Sequence, residues 1–417
     1  MKVKPKVLCT TLRRSHFIQV ASSLVAYGID ADLFQGWIVR NPRKSILVRL
    51  AARILRRESF IYGFEKRLTP ELINHNYSDF ASEFIQAVLE MTVGRINNWL
   101  WNLSVKIGFA LHGWRAIRLL KKNKYNIIHV RSGMGIGGLT RFAKKHGVKI
   151  LVDHSAGAPD YISEYVYGHK LKKSSYWYSV KKDCDSADIL MVDCDWVRET
   201  FLMYGYPVDK IRVVYMGLDE KFNGLKKWDR PLEGIGKTIE TPLKIVFSGP
   251  FAPHKGNHDF LQAVETLSEK GLFFNVDVLG SVNILKKDQM RYAKAIAKIN
   301  FHGHLSQDKM CEIMKCAHIY LFPSLSEGCA KSAFEAMSMG LCVVATKQTG
   351  LPITEGVDGH LITVKNPNSI VEKILELVDN PKVISQTGRA ATKTLKKFSW
   401  SHYAENVERV YNELLEK

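Results

Sequence analysis

Acidic residues are outnumbered in this 417-residue chain: 41 Asp and Glu stand against 60 Lys and Arg, a net charge of +19. An excess of that size calls for an acidic partner, because net charge governs association rather than fold. Cysteine is sparse. Cys9, Cys184, Cys194, Cys311, Cys316, Cys329 and Cys342 form an odd set with no C-x-x-C. That argues against a disulfide framework and a structural zinc site, and fits a reducing compartment. Long apolar runs are missing too. The richest stretch, Phe84 to Trp114, is interrupted by Glu90, Arg95 and Lys106, so no transmembrane helix is expected. The basic start, MKVKPKVLCTTLRR, lacks the apolar stretch of a signal peptide, and no repeat of 20–50 residues is visible.

With 46% hydrophobic and 24% charged residues, the chain is not disordered, and its length suggests two or three domains. Short Val- and Ile-rich runs alternate with helix-period segments: Ile127–Val130, Ile150–Val152, Ile189–Val192, Leu243–Ser248, Ile319–Pro323 and Cys342–Thr346 among them. Buried parallel strands read this way, and the alternation predicts α/β units in two doubly wound domains. The boundary falls in Asn223–Pro242, a segment rich in Gly, Pro and charge. The expected division is an N-terminal domain over 1–222, a linker over 223–242, a C-terminal domain over 243–398 and a final amphipathic helix over 399–417. About 80 residues before Ile127 break the α/β rhythm and look purely helical.

Charge divides unevenly between the halves. Residues 1–222 hold 35 Lys and Arg against 20 Asp and Glu; residues 223–417 hold 25 against 21. Arg40–Arg57 carries seven bases and no acid. From Ser45 on, Arg49, Arg53, Arg56 and Arg57 fall on one side of a helical projection. Ile46, Leu47, Leu50, Ala51, Ile54 and Leu55 fall on the other. Such a helix either packs its apolar side on a core or lies in the headgroup layer of an anionic membrane. Trp99, Trp101 and Trp114 add residues that favour membrane interfaces. The basic cluster is interleaved with aliphatic residues rather than stacking aromatics, so nucleic acid is not an expected partner.

The most specific feature is Phe322–Thr346, FPSLSEGCAKSAFEAMSMGLCVVAT. It reads as a strand ending at Pro323, a turn, a helix over about 330–339 and a further strand. Glu327 and Glu335 lie eight residues apart, roughly 12 Å along a helix. That span suits the two ends of a nucleotide diphosphate sugar, with a helix N-terminus between them for the diphosphate. Asp183-Cys184-Asp185 and Asp193-Cys194-Asp195 have the form of metal-binding D-x-D motifs but sit in a helix and on a strand, and no metal is expected. Gly133–Gly138, GMGIGG, lacks the spacing of a dinucleotide fingerprint.

This stretch resembles the retaining glycosyltransferases of GT-B fold that carry the E-x7-E motif (glycosyl transferases group 1, family 4). The resemblance runs from about Lys124 onward through ADILMVDCDWVRETF (187–201), IRVVYMGLD (211–219), VFSGPFAPHKG (246–256), NFHGHL (300–305) and FSW (398–400). It implies two facing Rossmann-like domains with a helical insertion in the first. The last helix would return to the N-terminal domain. It implies a metal-independent enzyme that takes a nucleotide diphosphate sugar as donor, needs no other cofactor, and transfers the sugar to a lipid-linked or membrane glycan from the cytoplasmic face of the membrane. Ser45–Arg57 would then meet the anionic membrane surface. The implied catalytic residues are Glu327 at the sugar, Lys255 at the diphosphate and His154 at the end of ILVDH. Donor binding would fall to Glu335 at the ribose, with Gly249, Gly328, Cys329, Ala330, Lys331 and His302. Three departures stand out. Pro250 replaces the Arg that normally neighbours Lys255, with His254, Lys331 or Arg14 as substitutes. Ala330 stands where Gly or Pro is usual, and Gln348-Thr349-Gly350 replaces a Gly-Gly turn. A sugar-nucleotide isomerase and a catalytically impaired binding protein are the alternatives.

Overall fold

The computed structural model describes residues 5–12, 16–54, 59–93, 96–219, 222 and 231–416. Arg14, residues 55–57 of the basic segment and 223–230 of the expected linker lie outside them. The first half contains β1 (Lys6–Thr11), α1 (Phe17–Ala26), β2 (Asp30–Gln35), α2 (Ile46–Ile54), α3 (Ser59–Glu65), β3 (Asn76–Ser78), α4 (Phe80–Met91) and α5 (Asn98–Lys122). It continues with β4 (Ile127–Arg131), α6 (Leu139–Lys145), β5 (Lys149–His154), α7 (Pro159–Tyr161), α8 (Tyr176–Ser186), β6 (Ile189–Val192), α9 (Asp195–Met203) and β7 (Ile211–Val213). The second half contains β8 (Leu243–Ser248), α10 (Asn257–Glu269), β9 (Phe274–Leu279), α11 (Lys286–Arg291), α12 (Ala293–Ile296), β10 (Ile299–Gly303), α13 (Gln307–Cys316) and β11 (Ile319–Phe322). After these come α14 (Lys331–Ser338), β12 (Cys342–Thr346), β13 (His360–Ile362), α15 (Pro367–Asp379), α16 (Pro381–Thr394) and α17 (Trp400–Glu416).

These elements build two parallel sheets. The first has the order β3-β2-β1-β4-β5-β6-β7 and the second β10-β9-β8-β11-β12-β13. Their central strands are apolar on both faces because helices cover both faces; every residue of β6, β11 and β12 is buried. In each sheet the strand order reverses beside the first strand, the place where α/β folds open a crevice at the carboxyl ends.

The amphipathic spacing read at the end of the sequence is α17. Its buried residues Tyr403, Val407, Val410, Tyr411 and Leu414 join Val7, Cys9, Phe17 and Leu24 of the first domain in one core. The chain therefore crosses between domains twice. At the second crossing Leu218 N–H donates to Phe398 O at 2.8 Å, and a Cβ on Gly217 would fall 2.6 Å from the backbone of Trp400.

The helical insertion is not purely helical. β3 adds a three-residue edge strand to β2 through Leu33↔Asn76 and Gln35↔Ser78. Its sequence, NYS, carries none of the aliphatic signal of a buried strand, because as an edge strand it is largely exposed. In α2 the apolar residues part company: Val48 and Ala52 face inward, while Ile46 and Leu50 are 79% and 53% exposed. Arg49 and Arg53 are exposed as well. No helix among the described residues is long and apolar enough to cross a membrane.

Candidate active site

The second sheet sets the donor-side residues. β8 ends at Ser248, and the chain turns through Gly249 and Pro250 into the short 3-10 turn Pro253–Lys255. Gly256 follows at φ 74°, and a Cβ there would lie 1.9 Å from Pro323 O. Only glycine permits both the left-handed backbone and that approach. The close packing sets the Lys255 turn against the turn that follows β11. There Lys255 Nζ makes an ion pair with Glu327 Oε1, and Ser324 Oγ donates to the same oxygen at 2.7 Å. Both partners are mostly buried, with side chains 15% and 14% exposed. Leu325 N–H donates to His254 O at 3.0 Å, so the backbones of the two turns are stitched together.

Glu327 does not lie on the helix. α14 begins at Lys331 with Ala330 as its N-cap, matching the turn and the helix from about 330 read in the sequence, so the helical rise used for the 12 Å span applies only to its second half. Glu335 sits in the second turn of α14 and is buried. Tyr320 stands within the fields of both: burial pushes its hydroxyl pKa up, and the charges of Glu335 and Glu327 add to that. It stays protonated, 3.1 Å from Ser248 O and 2.8 Å from Ser332 Oγ.

Gly249 and Pro250, which lead into the Lys255 turn, also line an open cavity of about 250 Å³ at the carboxyl ends of β8, β9 and β10, with Gly280, Gly303, His304 and Leu305 among its other walls. The resemblance gave His302 a part in donor binding. The structure instead turns His302 toward Asp277, with Nε2 2.8 Å from Oδ1, and gives the lining to His304. Alternation within a strand would put residues two apart on one face; β10 ends at Gly303, whose φ of 64° turns the chain and parts the two histidines.

Across the cleft the first domain closes on the 324–330 turn. Cys194 Sγ donates to Gly328 O at 2.6 Å, and a Cβ on Gly328 would fall 2.3 Å from Ser155 O. Cys329 is half-buried beside it. Lys331 Nζ reaches Asp219 Oδ2 at 3.5 Å and Gln19 Oε1 at 3.4 Å, both in the first half of the chain. Of the substitutes for the missing arginine, His254 carries no charge to offer at neutral pH, since burial and the neighbouring Lys255 lower its pKa. Lys255 and Lys331 are the cations the described residues supply.

His154 requires a correction. Expected to point into the cleft, it is 2% exposed with both ring nitrogens engaged: Nδ1 lies 2.8 Å from Ser132 Oγ and Nε2 3.1 Å from Gly157 O. Burial lowers its pKa to about 4. The ring also packs edge-on against Phe201, so it shapes the 155–158 loop from beneath. The two D-x-D sequences fall apart in space as well. Asp183 Oδ2 accepts from the N–H groups of Gly133 and Gly135 at 2.7 and 2.9 Å, while Asp185 meets Tyr206 and Lys181. Asp193 turns inward, and Asp195 meets the Tyr215 hydroxyl at 3.0 Å.

Two Rossmann-like domains facing across such a cleft define the GT-B fold of glycosyltransferases. Comparison with known proteins agrees. The model described as "Glycosyl transferases group 1" matches residues 242–380, and "Glycosyltransferase Family 4" matches residues 90–222. An uncharacterized glycosyltransferase of Methanocaldococcus jannaschii is 33% identical over 172 residues, 40% of this chain and 48% of that one. The chain spans about half the length of the curated relatives it matches. Among solved structures, sucrose-phosphate synthase from Thermosynechococcus elongatus superposes with a TM-score of 0.67 at 15% identity, covering 99% of both chains. Anabaena HepE in complex with UDP-glucose superposes with a TM-score of 0.63 at 12% identity, covering 98% of this chain and all of that one.

Proposed function

We propose that the protein is a retaining glycosyltransferase that moves a sugar from a nucleotide diphosphate sugar to a lipid-linked or membrane-associated glycan. The observation that carries this reading is the meeting of Lys255 and Glu327, with Gly249 and Pro250 before the Lys255 turn lining the cavity at the ends of β8–β10 and Glu335 buried on the adjoining helix. In this reading the base occupies that cavity and Glu335 accepts from the ribose hydroxyls. Glu327 accepts from the sugar. When the bond from the sugar's anomeric carbon to the diphosphate breaks, its electron pair goes to the phosphate oxygen. Lys255 and the free N–H groups at the start of α14 meet that charge, with no ion assigned to the diphosphate. Retention is the outcome implied by the resemblance of the E-x7-E stretch.

The acceptor belongs on the basic first domain. Support comes from an apolar surface around the α4–α5 corner, where Ile96 and Trp99 are 69% and 60% exposed and Phe84, Val88 and Met91 are also exposed. Trp37, packed edge-on against Phe64 and Phe80, links this corner to the α3 region. Arg40, Arg43, Arg49 and Arg53, in and before α2, are exposed as well. Exposed Trp and Leu beside arginines suit the headgroup layer of an anionic membrane at the cytoplasmic face. A catalytically impaired nucleotide-sugar-binding protein is the second reading, favoured by Pro250. An isomerase is not favoured, as both matched models are of glycosyltransferases.

A thermal-shift panel with UDP, GDP and their sugars tests the donor site. A ligand at 100 times its Kd stabilises by about 2.7 kcal/mol. One base series should stabilise the chain, and transfer to a lipid-linked glycan then separates the two readings. No stabilisation by any nucleotide at millimolar concentration would overturn both.

A further inference from the structure

At the carboxyl ends of the first sheet, in the other domain from the Lys255–Glu327 pair, three segments distant in sequence bring together His16, Asp153 and Asp193. His16 precedes α1, Asp153 lies on β5 and Asp193 follows β6. One ligating atom from each lies within 4.8 Å of the other two. Asp153 and Asp193 are 1% and 2% exposed. His16 Nε2, both carboxylate oxygens of Asp153 and Oδ2 of Asp193 are buried without a hydrogen-bond partner among the described residues. Two carboxylates held so close and out of water each cost several kcal/mol unless something of opposite charge meets them. Arg131, at the end of β4, adds a positive field but makes no ion pair with either.

We propose that this cluster binds one divalent transition-metal ion. The donor set, one imidazole nitrogen and two carboxylate oxygens, suits zinc or manganese rather than a soft thiophilic ion. A 2+ charge neutralises the two carboxylates. Bonds of about 2.0–2.2 Å place tetrahedral ligands roughly 3.3 Å apart, so modest side-chain rotation, chiefly of His16, closes the set. His129 supplies the supporting arrangement expected of such a site. Its Nδ1 lies 2.7 Å from the Tyr411 hydroxyl, and its Nε2 stands 3.6 Å from Asp153 Oδ2 without a hydrogen bond among the described residues. His129 therefore backs Asp153 and is not one of the three ligand residues. The ion's place is structural: it ties the start of α1 to β5 and β6 beneath the cleft and, through Tyr411, to α17. The inference stands or falls independently of the glycosyltransferase reading.

The test is a cobalt(II) titration of the full chain after removal of bound metal with a chelator, followed by absorption and thermal unfolding. One equivalent should bind, with d–d bands, no thiolate-to-cobalt charge-transfer band and a higher Tm. Asp193→Asn and His16→Ala should each weaken binding at least tenfold with the far-UV circular dichroism unchanged, whereas His169→Ala, at an exposed histidine, should bind as wild type does. If Asp193→Asn fails to fold, His16→Ala decides, since it alters a partly exposed position at a helix start. Absence of stoichiometric binding, a thiolate band, or wild-type affinity in His16→Ala would overturn the proposal and leave a proton shared between the two carboxyls as the neutralising charge.

Discussion

Asp183 caps the glycine-rich turn 133–138 from α8, and its replacement by asparagine offers a measurable change in the pH dependence of stability. Its Oδ2 accepts two backbone N–H bonds, yet burial outweighs them and raises its pKa to about 7. An unfolded aspartate titrates near 3.9. Between these values the folded state holds a proton that the unfolded state has released, so stability falls as pH rises. The slope is about 1.4 kcal/mol per pH unit, and the sum across the window is about 4 kcal/mol. None of it is lost below pH 4 and all of it is lost above pH 7. In Asp183→Asn the amide oxygen can accept the same two N–H bonds without ionising. Weaker hydrogen bonds to a neutral acceptor offset about 1 kcal/mol each. The variant should therefore exceed wild type by roughly 2 kcal/mol at pH 8 and fall roughly 2 kcal/mol below it at pH 4, so the two stability curves cross. Urea unfolding followed by tryptophan fluorescence at pH 5 and pH 8 reads this directly. Parallel pH dependences in the two proteins, or a variant weaker at pH 8, would refute the reasoning.

Glu335→Ala should weaken nucleotide binding by about 3 kcal/mol or more in calorimetry, since two hydrogen bonds to a charged acceptor are lost; Glu327→Ala should instead depress turnover with the sugar donor. Equal nucleotide affinity in wild type and Glu335→Ala would remove the ribose assignment. Lys255→Ala should lower kcat at least tenfold, about 1.4 kcal/mol of barrier, and unchanged turnover would move the diphosphate elsewhere. Leu50→Asp and Trp99→Ala should leave Tm nearly unchanged, because both positions are exposed, and should weaken sedimentation with anionic liposomes, as should high salt. A wild-type chain that stays in the supernatant at low salt would rule out membrane docking. His154→Ala should act on stability, with a lower Tm and little change in nucleotide affinity.

The parts of the fold legible in the sequence were those written by burial on both faces. CVVAT and LKIVFS became the central strands β12 and β8, and the spacing from Tyr403 to Leu414 became the buried stripe of α17. β3 was not legible because an exposed edge strand of three residues has no apolar signature. In the candidate site, Glu327 and Lys255 were found from a motif, and the structure brings them into contact over 72 residues of separation. The cavity at the ends of β8–β10 escaped sequence reasoning because Gly280, Gly303 and Leu305 offer backbone and shape rather than reactive groups; strand ends at DVLG and HGHL were the available signal. His154 misled because strand position fixes where a residue lies and not what its ring bonds to. The His16, Asp153 and Asp193 cluster had no local pattern at all. Its members are joined only by the strand order of a parallel sheet.

The return of α17 has a consequence for synthesis on the ribosome. Val7, Phe17 and Leu24 are made long before α17, the helix that covers them and the last element described. At 5–20 residues per second, the roughly 190 residues between β7 and α17 take on the order of 10–40 s to emerge. Throughout that interval the first domain carries an uncovered apolar face while the second domain is completed. The order of birth is thus the reverse of the order of closure. Nascent chains of this architecture present a time-limited binding surface for chaperones, one that disappears when Tyr403 and Tyr411 dock.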